Sequence, residues 1–296
     1  MVMKILFPTD YSNAADNAFM YALKLAERLN ATITAMHAFE GAMVMSWSEE
    51  FVTTNELMDA VALDEFEKYK IQVQLLKRLA AENNLQHIEV NYALREAPET
   101  IVQSILDEAK EHHSDLIVIG TKGASGLKEV FFGSVASRVM QSAPCPVLVV
   151  PETANFRGIR KIGLTLEYKP GEMELIRKAL AFTRTINGQL DCVHVDSFEA
   201  NKRNTRLAEY SAAFAYEKDI RFHTHYDLNI ERGILDYMKT NHIDIIIMEM
   251  QEVSHLKELF SFSIAKRVSY HSDIPLLAFP NDTTDLKKTK TAKSPN

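Results

Sequence analysis

Short apolar runs alternate along this chain with longer stretches in which apolar residues return every three or four positions. Lys4 to Phe7 is an apolar run stopped by Pro8. Asn13 to Leu29 places Ala15, Ala18, Phe19, Ala22, Leu25, Ala26 and Leu29 on one helical face, with Ser12 or Asn13 as its cap. Thr32 to Ala38 reads as a second strand. Glu56 to Asn83 reads as a long helix striped by Leu57, Val61, Phe66, Val73, Leu76 and Ala80, and Ile88 to Tyr92 as a third strand. A helix follows, with Pro98 near its first turn and Ile101, Ile105 and Ala109 facing inward. Leu116 to Ile119 is apolar throughout, as expected of a parallel strand covered on both faces. Ser134 to Ser142 is a short helix and Val147 to Val150 the last strand. Such a succession predicts an α/β fold built on a doubly wound sheet.

The pattern then repeats. Asp115–Pro151 laid on Asp244–Pro280 without a gap matches Leu127-Lys128-Glu129 to Leu256-Lys257-Glu258, and Arg138-Val139 to Arg267-Val268. At the front of each half Lys4-Ile5 falls on Lys161-Ile162, Tyr11 on Tyr168, Asn30 on Asn187 and His37 on His194. The second half is shorter in its middle, and a linker falls at Pro151 to Arg157. The expected division is 1–152 and 153–282 as two copies of one domain, with 283–296 as a disordered tail.

Composition narrows the function. The 296 residues suit two domains, and 46% hydrophobic with 25% charged residues is an ordinary globular balance. No apolar stretch approaches the roughly 20 residues of a membrane helix, and polar residues reach the amino terminus before a signal-peptide core forms. Cys145 and Cys192 offer neither a disulfide framework nor zinc spacing. A soluble cytoplasmic protein without a membrane partner is expected. The net charge of −7 excludes a nucleic-acid partner for the folded part, because phosphate binding needs a basic surplus. Lys287, Lys288, Lys290 and Lys293 make only the tail basic.

The candidate chemistry lies after the fourth strand. Gly120 and Gly123 precede Gly133-Ser134 in the spacing Gly-x2-Gly-x9-Gly-Ser. Glycines let phosphate oxygens approach backbone N–H groups, and a helix opening at Ser134 turns its positive end toward an anion. The bland reading is a glycine-rich turn before a helix cap. Neither a P-loop nor a Gly-x-Gly-x-x-Gly fingerprint is present.

Over residues 1 to about 282, this sequence resembles the universal stress protein family in its tandem two-domain form. Gly120, Gly123, Gly133 and Ser134 meet the family's glycine motif, and Pro8-Thr9-Asp10 meets its opening. The resemblance implies a five-stranded parallel sheet of order 3-2-1-4-5 in each domain, with helices on both faces. It implies binding of ATP or another adenine nucleotide (AMP or ADP), often with a divalent cation such as Mg²⁺, in stress response and without a defined common reaction. Carried over, Asp10 approaches the ribose or a metal-linked phosphate. Ala38, Pro8, Thr9 and Ile119 lie by the adenine. Gly120, Lys122 and Gly123 hold ribose and phosphates, and Gly133, Ser134, Val135 and Ala136 offer N–H groups. In such a sheet strands 1 and 4 flank the switch point where ligands sit, and Asp10 and Gly120 stand at those two strand ends. Related single-domain proteins dimerise through the last strand. The resemblance therefore implies an intrachain pseudo-dimer through Val147–Val150 and Leu276–Phe279, and leaves further homo-dimerisation open.

Several residues keep two readings. Asp10 also suits a helix cap, and Lys122 a solvated loop position. His37 and His194 recur although the second copy has lost its glycines, which favours a structural role. His223 and His225 share one strand face, but no third donor nearby completes a zinc site. The Met43–Trp47 stretch, in the region 40–56 shortened in the second copy, is either a partner-binding loop or a cover for its own helix. The second copy carries Glu249, Glu252 and Phe262 for Gly120, Gly123 and Gly133, with Glu167 for Asp10 and only Ser263 retained. It is expected not to bind nucleotide. No nucleophile–base pair is visible, so the reading is of a binding protein rather than an enzyme. A slow ATPase and a nucleotide-independent scaffold are the alternatives.

Overall fold

The computed structural model describes residues 2–41, 54–121, 134–169, 171–197, 205–250 and 273–280. Its first half runs β1 (Lys4–Pro8), α1 (Asn13–Leu29), β2 (Thr32–Glu40), α2 (Thr54–Glu82), β3 (Val90–Ala97), α3 (Ile101–Glu111), β4 (Leu116–Gly120), α4 (Ser134–Ser142) and β5 (Val147–Val150). The second half continues with β6 (Lys161–Thr165), α5 (Glu172–Thr185), β7 (Gln189–Asp196), α6 (Thr205–Ala213), β8 (Ile220–Tyr226), α7 (Ile230–Thr240), β9 (Ile245–Met250) and β10 (Leu276–Pro280).

Strands β1, β4 and β5 pack helices on both sides and are buried nearly end to end, which explains their uninterrupted apolar sequence. Ser12 caps α1 by accepting from the Ala15 N–H at 3.2 Å. Asn30 ends the helix in the left-handed region (φ 49°), and Asn187 repeats that conformation (φ 51°). The third strand begins later than the sequence suggests. Ile88 closes a turn after α2 by donating to the Leu85 carbonyl, and β3 starts at Val90. Thr100 caps α3, two residues after Pro98.

The strands form one ten-stranded sheet ordered β3-β2-β1-β4-β5-β10-β9-β6-β7-β8. Each half is parallel within itself in the order 3-2-1-4-5, and the halves meet where β5 pairs antiparallel with β10, Leu277 opposite Leu148. One apolar layer lies under α1, α2, α5 and α6, around Phe7, Phe19, Ile176 and Leu277. The other lies under α3, α4 and α7, around Ile117, Val139, Met238 and Ala278. Each fully buried aliphatic or aromatic side chain contributes about 1.5–3 kcal/mol. Because both layers run across the β5–β10 seam, the halves share their cores.

The segment joining the halves is packed rather than loose. Asn17 Nδ2 donates to the carbonyls of Pro151 at 2.8 Å and Ala154 at 2.9 Å, and Arg28 Nη1 to that of Ile159 at 2.7 Å. The Met43–Trp47 stretch and the tail 283–296 lie outside the described residues. Among the described residues no helix is long and apolar enough to cross a membrane.

Candidate functional site

The carboxyl ends of β1 and β4 are adjacent, since Ile5 and Leu6 of β1 pair with Leu116 and Ile117. Pro8 ends β1 in register with Met36, and the Thr9 N–H then donates to the Met36 carbonyl at 2.8 Å. This bond continues the ladder one residue past the strand and fixes the wall of the crevice. Asp10 is exposed at its lip. Its Oδ1 accepts from the Ser12 hydroxyl at 2.6 Å and N–H at 3.2 Å, so it steadies the residue that caps α1 and is not itself the cap.

The chain between Asp10 and Ser12 turns through Tyr11 in the left-handed region, at φ 65°. A non-glycine residue there is held by its surroundings. The Tyr11 ring stacks on His37 at 4.0 Å and 22°. His37 Nδ1 is 2.8 Å from the Thr9 carbonyl, which makes that nitrogen the donor, and Nε2 is 3.2 Å from Glu65 of α2. The Tyr11 hydroxyl is buried without a hydrogen-bond partner among the described residues, and its pKa is driven far up by burial first and then by the Glu65 and Tyr69 charges. Sequence reasoning found His37 and the Ser12 cap, but gave Tyr11 no role and missed Glu65. The shared Tyr11/Tyr168 and His37/His194 positions were the available signal.

Ala38 lies in β2, buried, one residue beyond His37 and opposite Arg95 of β3. Ile119 is buried in β4 beside Val149. Gly120 ends that strand, and a Cβ on it would stand 2.8 Å from the Ala14 carbonyl oxygen and 3.1 Å from the Ala15 nitrogen. Glycine is needed here for β4 to pass the first turn of α1, a packing duty additional to the expected ligand role. Helix α4 opens with exposed Ser134, half-buried Val135 and buried Ala136. Ala136, Val139 and Met140 anchor the helix to the sheet, so its first turn is placed by core packing. Lys122, Gly123 and Gly133 lie outside the described residues.

The second half keeps the scaffold and changes the site. His194 Nδ1 is 2.8 Å from the Leu166 carbonyl, and Tyr168, at φ 58°, packs on His194 at 4.0 Å. At the end of β9, Glu249 replaces the glycine. The first helix of this half begins later than its counterpart: α5 starts at Glu172, and Gly171 (φ 93°) takes the place of Ala14. Glu172 is buried and reaches back to accept from the Glu167 N–H at 2.5 Å and the Tyr210 hydroxyl at 3.2 Å. Burial raises its pKa, and those two donors partly offset the effect. Glu252, Phe262 and Ser263 lie outside the described residues. His223 and His225 do share the face under α7, where His223 Nε2 is 3.9 Å from Asp191 Oδ1. Among the described residues no three His, Cys, Asp or Glu side chains are grouped to hold a metal ion.

The sequence profile of the Universal stress protein family matches residues 1–151. Universal stress protein YxiE of Bacillus subtilis is 33% identical over 153 residues, covering 51% of this chain and 99% of that protein. Universal stress protein Slr1230 of Synechocystis is 23% identical over 288 residues, covering 93% and 99%, so it spans both halves. A universal stress protein crystal structure from Archaeoglobus fulgidus superposes with a TM-score of 0.68 at 16% identity, over 95% of this chain and 97% of that one. That likeness speaks to the fold.

Proposed function

The chain belongs to the universal stress protein family, and from that premise we propose that its first half binds an adenine nucleotide at the β1–β4 crevice and acts in the stress response through that occupancy. The observation that carries the reading is the juxtaposition at the switch point. The β1 end with exposed Asp10 and the β4 end at Gly120 belong to paired strands, and α4, which opens at Ser134, packs Ala136 into the same apolar layer as Ile119. Helix N–H groups and the helix dipole favour the phosphates. The buried apolar walls at Pro8, Ala38 and Ile119 suit a base. Gly123 and Gly133 would complete the cradle, with Lys122 beside it.

These residues fit an anionic nucleotide better than a free metal ion. Asp10 alone, among the predicted site residues, is a carboxylate, so a divalent cation such as Mg²⁺ would be held mainly by the phosphates themselves. The second half supports the same reading by contrast. Glu249 stands at the strand end where a phosphate group would need a bare backbone, and a carboxylate about 4 Å from a phosphate oxygen is repelled by roughly 4 kcal/mol at an intermediate effective dielectric. We infer one nucleotide per chain, with the second half as a structural partner in a covalent pseudo-dimer. Residues 1–152 and 153–282 are the two domains of this arrangement.

The proposed role is binding in the cytoplasm rather than turnover. Nucleotide content of the purified chain, measured by extraction and chromatography, tests the reading. About one adenine nucleotide per chain is expected, and a chain that stays empty at millimolar ATP would favour a nucleotide-independent scaffold. Phosphate release from ATP abolished by Asp10→Ala would instead make it an ATPase.

A further inference from the structure

A cavity of about 330 Å³ opens where the segment between β5 and β6 crosses the second half. Tyr21 of α1 lines it, as do Arg157 of the joining segment, Lys239, His242 and Asp244 at the α7–β9 turn, and Asp273 before β10. Its two carboxylates are already engaged within the fold. Asp244 Oδ2 accepts from the backbone N–H groups of Arg160 at 2.8 Å and Lys161 at 2.9 Å. Asp273 Oδ1 accepts from the Thr153 hydroxyl at 2.5 Å. Arg157, Lys239 and His242, in contrast, have no side-chain hydrogen bond or ion pair to any described residue. The carboxylates keep their charge, so the lining is balanced overall, but the hydrogen-bond donors left free on it are the cationic ones.

We propose that this cavity is a second binding site, for a small molecule carrying a phosphate group. A guanidinium fork and an ammonium on one concavity match the geometry and charge of a phosphate. The volume falls within the usual range for small-ligand pockets, about 300–1,000 Å³, and the place between two halves is a usual one. Tyr21 is almost wholly buried, and its phenol pKa is pushed up to about 12, by burial first and then by Asp244, so at neutral pH it remains a hydrogen-bond donor.

The joining segment is held where the site needs it. Phe156 meets Tyr21 edge-to-face at 5.1 Å, Lys24 lies 4.8 Å over the Phe156 ring, and Arg28 holds the Ile159 carbonyl. Arg157 therefore projects from a backbone fixed on either side. The first half carries the same turn, with Lys110, His113 and Asp115 for Lys239, His242 and Asp244. His113 (φ 50°) and His242 (φ 55°) even share the left-handed conformation. The joining segment exists once, so it supplies Arg157 to one of the two turns. The site is thus a product of the tandem arrangement and does not rest on the nucleotide reading.

The test is calorimetric titration of the intact chain with inorganic phosphate, then pyrophosphate, at low ionic strength. It is run on the Gly133→Phe background so that the glycine loop does not contribute. One saturable site per chain is expected, weakened by added chloride and lost by about tenfold or more in Arg157→Gln/Lys239→Gln. Both side chains are exposed, so the double variant should keep the parent's melting temperature. Absence of saturable binding on that background, or equal affinity in the double variant, would overturn the proposal.

Discussion

Tyr11 and His37 stack at 4.0 Å beside the β1 end, and Tyr168 and His194 repeat the contact at 4.0 Å in the half that has lost its glycines. In both, histidine Nδ1 lies 2.8 Å from the carbonyl two residues before the tyrosine. The clamp therefore belongs to the fold rather than to the ligand. It holds a left-handed tyrosine that would otherwise cost of order 1–3 kcal/mol.

His37→Ala should destabilise the chain by about 1–3 kcal/mol in urea unfolding, because it strands the Thr9 carbonyl and unstacks Tyr11. Tyr11→Phe should be neutral or stabilising by up to about 1 kcal/mol, since the hydroxyl it removes is buried without a partner among the described residues. A loss greater than about 1 kcal/mol in Tyr11→Phe would mean that hydroxyl is hydrogen-bonded in solution.

Gly120→Ala should cost about 1–3 kcal/mol, because the new Cβ meets the Ala14 carbonyl at 2.8 Å and both are backbone-fixed. A lowered melting temperature is the readout. An unchanged one would show that α1 can shift away from β4.

Glu172 gives the second half a pH dependence. Its folded pKa is raised above the ordinary value of 4.5 by burial, so the folded state binds the proton more tightly than the unfolded chain. That contribution is fully present below the unfolded pKa and is lost as pH rises through the raised folded value. The melting-temperature advantage of Glu172→Gln over the parent should therefore grow as pH rises out of the acid range. A difference that stays flat with pH would show that the donors from Glu167 and Tyr210 cancel the burial.

The bounds of α1 and β5 were legible because each is anchored by local chemistry, a serine cap or an apolar run between breakers. The sheet order followed from resemblance and the repeat, and the ten-stranded sheet bears it out. β3 was misplaced because it is an edge strand in which Ala93 and Ala97 are the buried residues, so the more apolar Ile88 drew the assignment upstream. Glu65 was invisible as a neighbour of His37. Nothing in its helical spacing indicates which strand end α2 will touch.

The shared seam makes the two halves one unfolding unit. Scanning calorimetry should show a single transition. Leu277→Asp, which places a charge at a fully buried seam position opposite Leu148, should destabilise both halves together by about 3–5 kcal/mol. Two separate transitions in the parent would contradict a common core.

Calorimetric titration of the intact chain with ATP and Mg²⁺ tests the central claim most directly. One site per chain is expected, abolished by Gly133→Phe with the melting temperature of the ligand-free chain retained. Two equivalent sites, or undiminished affinity in folded Gly133→Phe, would contradict it.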